Sequence, residues 1–169
     1  MSLIDDRVYI GIDPGMNGGL SIIHGKKVSI HPLPVIEEQL LDFICGLGIT
    51  YLPEKMVVYL EDIPTASYTF ESGGSRGDAI TKLYGHYKSV RMALVSQGIL
   101  FGVIRSKVWQ GIFDMKKEKG EDQGKWKKRL AHKALAIFPG KKFGVELADS
   151  LLIAEAGRRI HNEKVKKGN

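Results

Sequence analysis

The chain has 169 residues, 43% of them hydrophobic, enough for one domain with a sizeable core and too apolar for a disordered chain. Its 25 lysines and arginines exceed its 19 acidic residues, giving a net charge of +6 that favours polyanionic partners. A single cysteine, Cys45, excludes an internal disulfide, and no apolar run approaches a membrane span.

The opening MSLIDDR lacks a basic region followed by a long apolar one, so no signal peptide is expected. A soluble, cytoplasmic protein is the expectation. Val8–Ile12, Leu20–His24 and Val28–His31 are short and rich in β-branched residues, joined by the turn-forming stretches PGMNGG and Gly25-Lys26-Lys27. They predict an antiparallel meander. Ile36–Leu47 has apolar residues at a helical period. Met56–Leu60 is a continuous apolar run, as in a strand buried on both faces, and Ile99–Ile104 has the same character.

Ala79–Gln97 predicts a long helix, with Asp78 as N-cap and Gly98 as stop. Its stripe is Ile80, Leu83, Tyr84, Tyr87, Val90 and Leu94, while Met92 and Val95 lie off it. Lys125–Phe138 and Glu146–Ile160 predict two more helices, and the basic tail 161–169 is expected to be flexible. A hairpin pair followed by strands alternating with helices predicts a mixed α/β sheet in one domain, 1–169.

Four carboxylates stand at the ends of these elements. Asp13 follows the first strand, Glu61 follows MVVYL, and Glu146 and Asp149 open the last helix. Singly, each is explained as a turn residue or a helix-dipole partner. Together they are harder to explain, because neighbouring strands put Asp13 beside Glu61, and a spacing of three puts Glu146 and Asp149 on one helix face. Clustered carboxylates repel one another unless a cation sits among them. All-oxygen ligands suit Mg²⁺ or Mn²⁺, and no cysteine or histidine spacing suggests zinc. Two such ions about 4 Å apart activate water for phosphodiester hydrolysis. Asp62 also follows the strand, and since neighbours on a strand face opposite ways, only one of Glu61 and Asp62 faces such a site.

The segments GIDPG, YLED and ELADSLLIA, in that order, resemble the three acidic motifs of RuvC-type Holliday junction resolvases. These belong to the RNase H-like, or retroviral-integrase, superfamily, and the likeness is greatest to the small phage-encoded branch, as in lactococcal phages. It spans Tyr9 to about Arg159. The resemblance implies an RNase H-like fold: a mixed five-stranded sheet, its first three strands antiparallel and the rest parallel, flanked by helices. It implies a crossover junction endodeoxyribonuclease that nicks branched DNA as a homodimer with Mg²⁺, for which Mn²⁺ substitutes. Carried over, Asp13, Glu61, Glu146 and Asp149 match the metal-holding acids. Glu146 departs from the family's usual aspartate, and its longer arm bears on metal position and preference.

The resemblance also implies lysine contacts to DNA at the fifth strand's end and in the following helix. Lys107 matches there. The match among Lys125, Lys127 and Lys128 is ambiguous, and Lys125 and Lys128 are the candidates chosen. The family's aromatic after the strand glutamate is Pro64 here, which leaves Tyr68 or Phe70 to stack on a base, or both to pack on the domain. Arg76, in the same stretch, joins the DNA-contact candidates. Trp109 and Trp126 are read as packing residues, and His86, within a helix, as a surface or core histidine.

Two rival readings stay open: another RNase H-like nuclease acting on forks, flaps or RNA–DNA hybrids, and a branched-DNA binding protein without catalysis. An actin-like ATPase also opens on an aspartate and a glycine-rich turn, but it needs roughly twice this length.

Overall fold

The computed structural model describes residues 6–63 and 75–168. Five strands form one sheet: β1 (Val8–Ile12), β2 (Gly19–His24), β3 (Lys27–Pro32), β4 (Met56–Glu61) and β5 (Phe101–Ile104). Their order across the sheet is β3-β2-β1-β4-β5. β2 pairs antiparallel with both β1 and β3, whereas β4 pairs parallel with β1 and β5. This is the mixed sheet the sequence predicts. Tight turns suffice for the first three strands, and the later parallel pairings need helical crossovers.

The helices are α1 (Glu37–Thr50), α2 (Ser75–Ser96), α3 (Ser106–Ile112), α4 (Gln123–Ile137) and α5 (Ala148–Lys167). Strand alternation divides the core into two clusters. Val8, Ile10 and Ile12 of β1, with Val58 and Leu60 of β4, pack beside Leu40, Ile44, Val90 and Leu94 of α1 and α2. Tyr9 faces the other cluster, with Trp109, Trp126, Leu130 and the buried run Leu151–Ala154 of α5. Helix α5 lies hard against β1. A Cβ at Gly11 would stand 2.2 Å from the backbone of Ala154 and of Ser150, so only glycine permits this approach.

Several expectations are corrected. Helix α2 begins at Ser75, so Asp78 lies within its first turn, meeting the positive end of the helix dipole instead of capping it. Gly98 does stop the helix, at φ +64°. The fifth strand is shorter than Ile99–Ile104 and is not buried on both faces. It is a sheet edge, paired only with β4, and Val103 is 52% exposed. Helix α5 itself runs past the expected Ile160 to Lys167, with Lys164, Lys166 and Lys167 complementing the negative helix end, which leaves the flexibility expected of 161–169 untouched. Helix α3 was not anticipated, because seven residues are too few for periodicity to register.

Candidate metal centre

Two parallel strands bring the first two carboxylates together. Ile12 of β1 pairs with Leu60 of β4, so the next residues, Asp13 and Glu61, stand at the same edge of the sheet. Side chains alternate along a strand, and these odd-numbered positions continue the face of Tyr9 and Tyr59, on which α5 packs. Asp149 sits in the first turn of α5. One carboxylate oxygen from each of Asp13, Glu61 and Asp149 lies within 4.8 Å of the others. Asp62 faces away, where its Oδ1 accepts a hydrogen bond from Tyr87 of α2 at 3.4 Å.

Each acid is held by particular donors. The turn after β1 closes on itself: the Asp13 N–H donates to the Gly19 carbonyl at 2.9 Å, and the Gly15 N–H donates to Asp13 Oδ1 at 2.9 Å. Gly18 makes the turn possible, since a Cβ there would stand 2.1 Å from the Asp13 carbonyl oxygen. Glu61 Oε1 accepts from Ser106 Oγ at 2.6 Å and from Trp109 Nε1 at 3.1 Å. Both donors come from α3. Asp149 Oδ2 accepts from Lys127 Nζ of α4 in a short ion pair, while its Oδ1 is buried with no hydrogen-bond partner among the described residues.

The electrostatics follow from burial and crowding. Burial first, and then the charges of Asp13 and Asp149, push the Glu61 carboxyl up to about 7, although Ser106 and Trp109 favour its ionised form. Asp149 is also raised, by burial and by Asp13, against the opposing pull of Lys127. Burial disfavours the Lys127 ammonium, but Asp149, Asp13 and Glu61 outweigh this and hold it above the ordinary lysine value.

Three carboxylates and one lysine leave a deficit of positive charge. The buried, unpartnered Asp149 Oδ1 is the kind of atom a native structure leaves only when something else satisfies it. An all-oxygen donor set fits a hard divalent cation.

Glu146 is not one of the three. It is exposed, in a single 3-10 turn (Val145–Leu147) that precedes α5, so the two acids do not share the helix their spacing predicts. Its carboxylate folds back over Gly144, where a Cβ would lie 2.3 Å from Glu146 Oε1. A role toward an ion requires that side chain to turn away from this place. Lys107 is exposed on α3, next to Ser106, and Lys125 and Lys128 are exposed on α4. Tyr68 and Phe70 lie outside the described residues, as does the side chain of Arg76.

Three functional contacts escaped sequence reasoning: Lys127, Ser106 and Trp109. A signal for Lys127 did exist. Lys127, Leu130, Ala131 and Ala134 fall at i, i+3, i+4 and i+7, so Lys127 shares the buried stripe of α4, and Lys125 and Lys128 do not. No comparable signal marks Ser106 and Trp109, whose helix was not legible.

No protein-family model matches this sequence, and no curated protein matches it. Among solved structures, the chain is similar to Thermus thermophilus RuvC in complex with a Holliday junction substrate. The TM-score is 0.57 at 15% identity, over 94% of this chain and 96% of that one. A second Thermus thermophilus RuvC structure gives a TM-score of 0.54 at 15% identity, over 93% and 96%. At such identity the likeness is one of fold: the mixed sheet β3-β2-β1-β4-β5 with its flanking helices is RuvC-like and RNase H-like.

Proposed function

We propose that this chain is a metal-dependent, structure-selective endonuclease of the phage-encoded resolvase kind, nicking four-way DNA junctions by paired phosphodiester hydrolysis. The observation that carries the reading is the cluster of Asp13, Glu61 and Asp149, with its unpartnered buried oxygen, on a RuvC-like fold. The net charge of +6 suits a nucleic-acid partner. Among the described residues no helix is long and apolar enough to cross a membrane. A cytoplasmic setting, that of a host bacterium for a phage protein, belongs to the same proposal.

Asp13, Glu61 and Asp149 would hold Mg²⁺, with Mn²⁺ as a substitute. The bound ion supplies an activated water and stabilises the leaving oxygen. The protein's own part is to place the acids. The Asp13 turn is locked by its internal hydrogen bonds. Glu61 is anchored through Oε1, and Lys127 steadies Asp149 through Oδ2, while Asp149 Oδ1 has no hydrogen-bond partner among the described residues. Lys107, Lys125, Lys128 and Arg76 are proposed phosphate contacts, which supply affinity without sequence readout. Tyr68 and Phe70 are proposed stacking residues, and Glu146 is a proposed outlying acid of the site.

Opposed cuts need two equivalent sites, and each chain holds one acidic cluster among its described residues. A twofold homodimer provides the second. Met92 and Val95 of α2 are 64% and 59% exposed, apolar surface well suited to a second copy.

The test is cleavage of a four-way junction with Mg²⁺ beside a linear duplex, a fork and an RNA–DNA hybrid. Junction-selective nicking, lost in Asp13→Asn while junction binding persists, is the expected result. Preference for the fork or hybrid would move the assignment to another RNase H-like nuclease. Binding without any cleavage in Mg²⁺ or Mn²⁺ would leave a junction-binding protein.

A further inference from the structure

His86 of α2 is buried, and it is the one imidazole in the core among the described residues. Both of its ring nitrogens face carbonyl oxygens: Nδ1 lies 2.9 Å from Pro14 O, and Nε2 lies 2.9 Å from Pro34 O. A carbonyl only accepts, so a ring nitrogen that carries a hydrogen donates to the carbonyl it faces, and the ring sits between the two segments. Among the described residues no backbone N–H reaches either carbonyl, and the His86 ring is the partner each one meets.

The two carbonyls belong to segments that meet beside the metal centre. Pro14 directly follows Asp13, inside the turn in which the Gly15 N–H holds Asp13 Oδ1. Pro34 follows β3, whose exit is joined to the same turn by the Leu33 N–H donating to the Gly18 carbonyl at 3.0 Å. The turn after β1 is therefore closed from within by backbone bonds and gripped from outside by one side chain. Those internal bonds fix the shape of the turn, not where it stands against the neighbouring elements. Its position relative to Glu61 and Asp149 depends on what clamps it.

We infer that His86 is a positioning residue for the metal centre: a buried ring, seated between the Pro14 and Pro34 carbonyls, that packs α2 against both segments and thereby sets where Asp13 stands. The inference rests on the reading of Asp13 as an ion-holding carboxylate. It has a further consequence. Helix α2 also carries Met92 and Val95, so the face proposed for a second copy and the turn that places Asp13 are parts of one rigid connection. Whatever shifts α2 shifts the Asp13 turn with it.

The test uses the full chain and Mn²⁺ alone, read by calorimetry or by the electron paramagnetic resonance of the free ion. His86→Gln is expected to bind Mn²⁺ about tenfold more weakly than wild type at a temperature where both are fully folded, the scale seen when a partner of a metal ligand is removed. The Gly15 amide should also lose protection from hydrogen exchange. A folded variant with wild-type Mn²⁺ affinity overturns the inference while leaving the metal reading intact. Wild-type protein that takes up no Mn²⁺ overturns both. Should His86→Gln not fold, a Mg²⁺ titration of the wild-type protein followed by NMR decides. The His86 ring signals are expected to shift as the ion binds, and unmoved ring signals overturn the inference.

Discussion

Lys127 of α4 donates to one oxygen of Asp149, and the other oxygen of that carboxylate is buried without a partner. One acid is thus divided between a resident ammonium and a place left for something else. The lysine keeps 30% of its side chain in water while Asp149 keeps 8%. The pair is therefore neither a free surface bridge nor a fully buried one.

Lys127→Met should expose that division. Losing the ammonium leaves three crowded carboxylates without a counter-charge, so the metal-free variant should be less stable by about 1–2 kcal/mol. That is below the roughly 3–5 kcal/mol for breaking a fully buried pair, because solvent screens this one. Added Mg²⁺ should raise the melting temperature of the variant more than that of wild type, because the ion replaces the missing charge. Thermal unfolding with chelator and with Mg²⁺ checks it, and an equal shift in both proteins would remove Lys127 from the balance of the site.

The Glu61 value of about 7 makes a pH prediction. The folded protein keeps the Glu61 proton up to about pH 7, whereas the unfolded chain releases it near the ordinary value of 4.5. Between these limits the folded state binds more protons, so metal-free stability should fall as pH rises from about 4.5 to about 7. Raised Asp149 acts in the same direction. Metal affinity should run the other way, rising through about pH 7, because an ion must displace the proton. Calorimetry of Mn²⁺ binding in buffers of different ionisation enthalpy should show proton release below pH 7 that Glu61→Gln diminishes.

Ser106→Ala tests whether α3 tunes Glu61. The hydroxyl favours the ionised carboxylate, so its removal should move the pH midpoint of Mn²⁺ binding upward. Affinity at pH 6 should drop about tenfold, as for other partners of metal ligands. Trp109→Phe should shift the midpoint the same way, with an added stability loss from the fully buried indole site. An unmoved midpoint in Ser106→Ala would make that hydrogen bond incidental to ionisation.

Dimerisation should precede DNA binding and should use α2. Sedimentation at micromolar concentration without DNA is expected to give a dimer. Met92→Glu, which puts a charge on that exposed apolar face, is expected to give a folded monomer with metal binding intact. A wild-type monomer would mean that two copies assemble only on the junction.

The sequence by itself determined the sheet and pointed to all three acids of the cluster. Period-two apolar runs mark strands wherever one face is buried. Strand alternation says that only one of the neighbours Glu61 and Asp62 faces α5, and the likeness of YLED to a known acidic motif pointed to Glu61. Turn chemistry around Gly15, Gly18 and Gly19 is local, so it was legible too. Asp149 was found because its helix is so apolar that an acid in its first turn needed a reason.

Only the tertiary structure decided the rest, because those contacts join segments far apart in the chain. Ser106 and Trp109 meet Glu61 from a seven-residue helix whose period is too short to read. Glu146 left the cluster because its backbone takes a 3-10 turn before α5 begins, a change of pitch that spacing alone does not reveal. His86 gained its two carbonyls only when the exits of β1 and β3 were brought together beside α2. Spacing reports which residues share a face within one element. What each face meets is set by how the elements pack, and it is packing that assigned Lys127, rather than Lys125 or Lys128, to Asp149.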